Sequence, residues 1–392
     1  MKFDRRLLMG AFARLRGALP FVVNDALFRL PVDVTAATPE VCRARGWELH
    51  ELGPRIERLP DVLDGTDPNV VARLRREVVG VDREATIFAA VIPNGRVLSR
   101  ACSAVAPRGI VLADVSPHAG VPLRHHRALT SALAARAPTR LRGRSALIGA
   151  VGHRNFYHWM FDAIPRVALL RDAGVETVDR WIVPATDLEV ARELLELAGV
   201  PHDRLHALRR SDHVVCDELV VTSAPGEICE PTPRTVEALR TMLDPGGLRL
   251  AQRSGERNVY IARRGRRRVA NERELASILE RRGFEFVAME GLSLAEQIAR
   301  VRGATCVVAP HGAALSHLIH AADGAVCLEL LAPDYTNPSF YVLAGACGLR
   351  YAALEGTRVA REPRDVTVAK FHVDPTRFES VLDRALASRR VT

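Results

Sequence analysis

Hydrophobic positions fall into short continuous runs separated by longer amphipathic stretches, and from about residue 145 onward the two alternate regularly. Runs of four to eight apolar residues predict buried strands, whereas apolar positions recurring every three or four residues predict helices packed on a core. On that basis ALIGAV (146–151), WIVPA (181–185) and DELVVTSA (217–224) are expected to be strands. Helices are expected from Tyr157 to Ala173, over 188–199 and from Pro233 to Leu243. Further on, the pattern predicts strands at 258–263, 284–289, 305–310, 325–331 and 350–355, with helices at 271–283, 293–303, 312–322 and 341–348. Strands alternating with helices of this length imply parallel sheets covered on both faces. Residues 1–145 are less regular, with ATIFAAVI (85–92) and GIVLADV (109–115) standing as strand-like runs between Pro, Gly and Asn turns.

A chain of 392 residues exceeds the size at which one hydrophobic core keeps growing, so two domains are expected. The Gly-rich, charged stretch 244–257 is the best linker, which divides the chain into 1–245 and 246–392. Hydrophobic residues make up 48% and charged residues 26%, as in a folded globular protein rather than a disordered one.

The net charge of +9 points to an acidic partner, whether phosphorylated substrate, anionic membrane or nucleic acid, and does not choose among them. Lys2 and Lys370 are the only lysines, so the basic charge is almost entirely arginine. The seven cysteines are widely spaced with no C-x-x-C pair, which reads as reduced core thiols of a cytoplasmic protein rather than a disulfide framework or zinc site. No run of eighteen apolar residues is present. The segment 1–23 mixes Arg5, Arg6, Arg14 and Arg16 with apolar residues, a pattern that fits either an amphipathic helix lying on an anionic bilayer or an ordinary packed surface helix.

Several clusters carry candidate chemistry. In CVVAPHGAALSHL a buried strand ends at Pro310 and His311-Gly312-Ala313 opens the next helix. Ligands of open α/β sheets bind beyond the carboxyl ends of the strands, and small residues there let a diphosphate approach the backbone. Glu329 is acidic within the apolar run AVCLELL, so it requires a partner, either a ribose diol or a nearby arginine. YIARRGRRRVANERE turns from a strand through five arginines into a helix near Asn271, and arginine forks suit a diphosphate and the charge developing on it as it leaves. GHRNFYHWMFDAIPRV brings His153, His158, Trp159 and Asp162 into ten residues. His158 and Asp162 stand four apart on one helical face, the spacing of a base and its orienting partner; a core-facing aromatic helix start is the alternative. Tyr157 and Trp159 are placed to flank a sugar ring. The chain holds no D-x-D, P-loop, G-x-S-x-G or G-x-G-x-x-G, which counts against a metal-bound diphosphate and against NTPase, hydrolase and dinucleotide chemistry.

Taken together, NFYHWMFDAIPR (155–166), YIARR…RRVANEREL (260–275), LSLAEQI (292–298), VVAPHGAALSHL (307–318) and LELL (328–331) resemble glycosyltransferase family 61. That resemblance implies an α/β fold of GT-B type, two facing Rossmann-like domains with parallel sheets. It further implies an inverting, metal-independent transferase with no cofactor, moving a sugar from a nucleotide-sugar donor, UDP-linked, to a glycan or lipid-linked glycan acceptor in surface polysaccharide synthesis. The donor would be bound by Arg263, Arg268, Asn271, His311, Gly312, Ala313 and Glu329. Asp162 or His158 would be the base, with His153, Asn155 and Trp159 on the acceptor side. A cytoplasmic location, with peripheral membrane contact through the N-terminal segment, and no nucleic-acid partner complete the expectation. Ala262, Ala314 and Ser316-His317 depart from the family's usual residues, so a non-catalytic sugar-binding relative stands as an alternative, as does a basic nucleic-acid-binding protein. Few aromatic residues (5%) are present to stack bases, which weighs against the latter.

Overall fold

The computed structural model describes residues 31, 33–78, 85–99, 101–117, 121–131, 136–244, 257–360, 363, 365 and 367–388. The N-terminal segment 1–23 and most of the expected linker lie outside the described residues. Within them the chain forms two compact units. One comprises the described residues up to Arg55 together with Ala85–Ile228; the other comprises Ile56–Glu84 and Cys229 onward.

In chain order the main elements are β1 (Asp33–Thr35), α1 (Thr38–Arg45), β2 (Leu49–Pro54), β3 (Asp61–Val62), α2 (Pro68–Glu77), β4 (Thr86–Pro93), β5 (Arg96–Leu98), β6 (Ser103–Ala106) and β7 (Ile110–Leu112). There follow β8 (Thr139–Leu147), α3 (Pro165–Asp172), β9 (Arg180–Pro184), α4 (Glu189–Leu197), β10 (Leu205–Leu208), β11 (His213–Thr222) and α5 (Pro233–Leu243). The remainder is β12 (Asn258–Ala262), α6 (Glu272–Arg281), β13 (Phe284–Ala288), α7 (Leu294–Val301), β14 (Cys306–Pro310), β15 (Val326–Leu331), α8 (Ser339–Ala346), β16 (Arg350–Glu355) and α9 (Pro375–Ala387).

The first unit is built on a ten-stranded mixed sheet, not the parallel sheet expected. β11, β8, β9 and β10 are parallel, whereas β4 and β5 pair antiparallel with β11, and β6 and β7 continue that half. The antiparallel half arises from residues 86–112, where strands follow one another through turns too short to hold a crossover helix. Its core joins Phe88, Ile92, Leu147, Ile182, Leu219 and Val221.

The second unit matches the alternation expected of it, and its sheet is all parallel in the order β13-β12-β14-β15-β16-β3. Helices α6 and α9 pack together, as do α7, α5 and α8 around the segment Ala313–His320. Strands β14 and β15 are buried along their whole length, as their unbroken apolar runs require. Helix α7 begins with a capping box in which Ser293 and Glu296 satisfy each other's backbone N–H groups.

Two differences from the sequence expectation have clear causes. Residues 56–84 belong with the C-terminal sheet because β3 pairs with β16 and Leu63 N–H donates to Tyr351 O at 2.9 Å. The boundary near residue 245 moves to 228/229, since α5 docks on the second unit, Arg240 Nε reaching Ile319 O at 2.7 Å. Among the described residues no helix is long and apolar enough to cross a membrane.

Candidate functional site

Each unit presents one candidate site. In the first, β8 ends at Leu147 rather than running on to 151, because Ile148 and Gly149 both donate to Ile182 O and the chain then turns through Gly152. Gly152 has φ +84°, and a side chain there would collide with the His158 ring, so this position requires glycine twice over. Asn155 caps the following helical turn through Tyr157 N–H at 3.1 Å.

The expected helix 157–173 is interrupted at Trp159–Ala163 by a π-helical turn. Pro165 explains it. Proline has no N–H to donate and its ring collides with the carbonyl four residues back, so the wider turn relieves the clash before α3 resumes. Asp162 lies on this turn, with Oδ2 2.6 Å from His158 Nδ1. Arg166, one turn on, is 1% exposed. Its Nε donates to Asp162 O at 2.9 Å, Nη1 to Thr222 O at 3.1 Å and Nη2 to Val115 O at 2.7 Å. Burial pushes its pKa down to about 10, opposed by the Asp162 carboxylate, and the group remains a cation at neutral pH.

Asp162 and Arg166 are the two charged side chains lining a small, partly open cavity, otherwise walled by residues such as Ala101, Pro117, Val151 and Ile228. A carboxylate oriented by an imidazole and facing a largely apolar pocket is the arrangement of a general base. The expectation that Tyr157 and Trp159 flank a sugar is not met: both rings are buried, and the Trp159 indole N–H is spent on His153 O at 2.9 Å. His153 thereby anchors the loop through its carbonyl, which also accepts from Thr186 Oγ1. Arg166 was missed as a functional residue, although an arginine within the apolar PRVALL was the signal.

In the second unit the strand order numbers 2-1-3-4-5 from β12, with β3 added at the edge, so the connections reverse direction between β12 and β14. A crevice at such a switch point is where open α/β sheets bind ligands. Tyr260 pairs with Val308, each two residues from its strand's end, so Arg263 and His311 emerge side by side. The expected α-helix at 312–322 is instead a 3-10 helix, Ala313–His320.

Gly312 holds extended backbone, and the room left by its missing side chain is filled by the Arg263 guanidinium rather than kept open for a diphosphate. Arg263 Nε donates to Arg266 O at 2.5 Å. Burial lowers its pKa, and the neighbouring Arg267 lowers it further. Arg267 stacks its guanidinium 4.5 Å from the Tyr335 ring centroid, and Tyr335 in turn meets the His311 ring edge-on at 4.8 Å. Among the described residues neither Arg263 nor Arg267 is paired with a carboxylate. Glu290 attracts Arg263 through space without pairing with it, and two adjacent guanidiniums so placed suit an anion.

Other expected donor residues sit differently. Arg268 is exposed, and Arg267 takes the place beside Arg263. Asn271 clamps the backbone of Val373 through both ends of its amide, at 2.8 and 3.0 Å, which removes it from a ligand. Glu329 is fully buried, and its two oxygens are taken by His311 Nδ1 and the Tyr351 hydroxyl, both at 2.5 Å, so no ribose reaches it in this structure. Tyr351 was not foreseen; a lone tyrosine in a buried strand gives no sign in sequence of its partner.

An α/β protein with a basic edge at a parallel-sheet switch point is thereby defined. Residues 156–328 match the family model described as Glycosyltransferase 61. A Beta-1,2-xylosyltransferase from Arabidopsis thaliana is 27% identical over 75 residues, which cover 19% of this chain and 14% of that protein. The matched stretch thus spans a small part of that relative's length. Among solved structures, the landomycin C-6 ketoreductase LanV with bound NADP and rabelomycin matches 62% of this chain and 88% of its own, at 14% identity and a TM-score of 0.14. A likeness that low carries no argument.

Proposed function

We propose that this protein is an inverting glycosyltransferase of GT-B type that moves a sugar from a UDP-linked donor to a glycan or lipid-linked acceptor without a metal ion. The adjacent Arg263 and Arg267 guanidiniums at the switch point are the observation that carries this reading, and the family match over 156–328 supports it. Asp162 takes the proton of an acceptor hydroxyl while His158 holds its carboxylate in place. The acceptor oxygen attacks the anomeric carbon, the bond from that carbon to the diphosphate oxygen breaks, and the charge that develops there falls on Arg263 and Arg267. The buried reduced thiols of Cys42, Cys102, Cys216, Cys327 and Cys347 suit a reducing, cytoplasmic compartment.

The test is a panel of nucleotide sugars assayed for release of nucleoside diphosphate, with and without EDTA, alongside thermal stabilisation by UDP. The reading expects UDP-selective binding that is insensitive to EDTA and lost in Arg263→Ala. It also expects Asp162→Asn to lower turnover by about 10²–10⁴-fold at unchanged UDP affinity. Absence of binding by any nucleoside diphosphate, or full turnover in Asp162→Asn, would reject it.

A further inference from the structure

Behind the anion site stands a line of buried groups with no role in the proposed reaction. Cys327 and Tyr351 are register partners on β15 and β16, and the two-residue repeat of a strand places Glu329 on the same face as Tyr351. Glu329 and Tyr351 have no exposed surface. The Tyr351 hydroxyl donates to one carboxylate oxygen of Glu329, and His311 Nδ1 meets the other. Tyr351 stands edge-on to Tyr341 at 5.2 Å, and the Tyr341 hydroxyl accepts from Arg75 Nε at 2.9 Å.

A carboxylate only accepts, so Nδ1 of His311 carries the proton and Nε2 is left as the ring's other polar atom. Among the described residues Nε2 has no hydrogen bond, although His311 is only 5% exposed. The ring is held between Tyr335 and Phe340, with centroids 4.8 and 4.9 Å away. Burial and the adjacent Glu329 push the Tyr351 phenol well above its usual range, which keeps it a donor.

We infer that Tyr351 is a positioning residue for the nucleotide site: by engaging Glu329 it fixes the orientation and tautomer of His311 and so presents the Nε2 lone pair as an acceptor to a hydroxyl of a bound nucleotide. The same arrangement, in which a buried carboxylate orients an imidazole, recurs wherever one ring nitrogen must meet a ligand. Naming the ligand rests on the glycosyltransferase reading; the effect of Tyr351 on the His311 ring does not.

Two measurements test it. In the first, UDP binding is titrated in the wild type, Tyr351→Phe, His311→Asn and the double variant. Tyr351→Phe is expected to weaken UDP by about tenfold alone and by less than about twofold where His311 is already replaced. Equal losses in both backgrounds, which general loosening of the core produces, overturn the proposal. In the second, histidine ¹⁵N resonances are recorded without ligand, His311 being assigned by its loss in His311→Asn. A single Nδ1–H tautomer is expected in the wild type, giving way to a mixture in Tyr351→Phe. Glu329→Gln, which keeps the side chain's shape, serves as a second variant. An unchanged His311 signature in both variants overturns the proposal whether or not UDP binds. Failure of the wild type to bind UDP, together with a changed signature, rejects the nucleotide reading and leaves the positioning role standing.

Discussion

The Arg263 guanidinium occupies the space in which a side chain at position 312 would stand. Gly312 has extended backbone that any residue adopts, so the requirement for glycine comes from this neighbour and not from φ. Gly312→Ala is expected to displace Arg263 and weaken UDP at least about tenfold while shifting the melting temperature little. Calorimetric titration beside a melting curve checks both; retained affinity would mean that Arg263 does not contact the ligand.

Arg267 and Arg268 are adjacent in sequence and opposite in environment. One stacks on Tyr335 beside Arg263, and the other is exposed. Arg267→Ala is expected to reduce UDP affinity by about tenfold or more, whereas Arg268→Ala changes it less than about twofold. The reverse ranking would return Arg268 to the site.

Arg166 satisfies three backbone carbonyls from different parts of the first unit. Arg166→Met leaves those acceptors buried and unpaired, a loss of roughly 3 kcal/mol or more in urea unfolding. Arg166→Lys keeps the charge without the planar fork and is expected to fall between. A methionine variant as stable as the wild type would show that water replaces the guanidinium.

His317 is fully buried on the 3-10 helix, 2.9 Å from Gln297 Oε1, and burial lowers its pKa from 6.5 to about 4. The folded state therefore resists protonation that the unfolded state accepts. Its contribution is complete above pH 6.5 and is lost as pH falls from 6.5 through 4, up to roughly 3 kcal/mol. Unfolding free energies measured between pH 4 and 7 should flatten over that interval in His317→Gln; an unchanged slope assigns the acid sensitivity elsewhere.

The second unit was legible in sequence because its central strands are buried on both faces and its strands are separated by amphipathic helices, and each strand from 258 to 355 falls where its apolar run stands. The His158–Asp162 pair was legible for the same kind of reason: a spacing of four acts locally. The antiparallel half of the first sheet was not, since short strands of similar composition carry no record of their partners or direction. Nor did sequence show that Glu329 is consumed by Tyr351, twenty-two positions away, or that Gly312 makes room for Arg263 across the switch point. Local periodicity is a property of the chain and sets the elements. Which side chains meet at the ends of neighbouring strands depends on strand order and register, and those are fixed only when the sheet assembles.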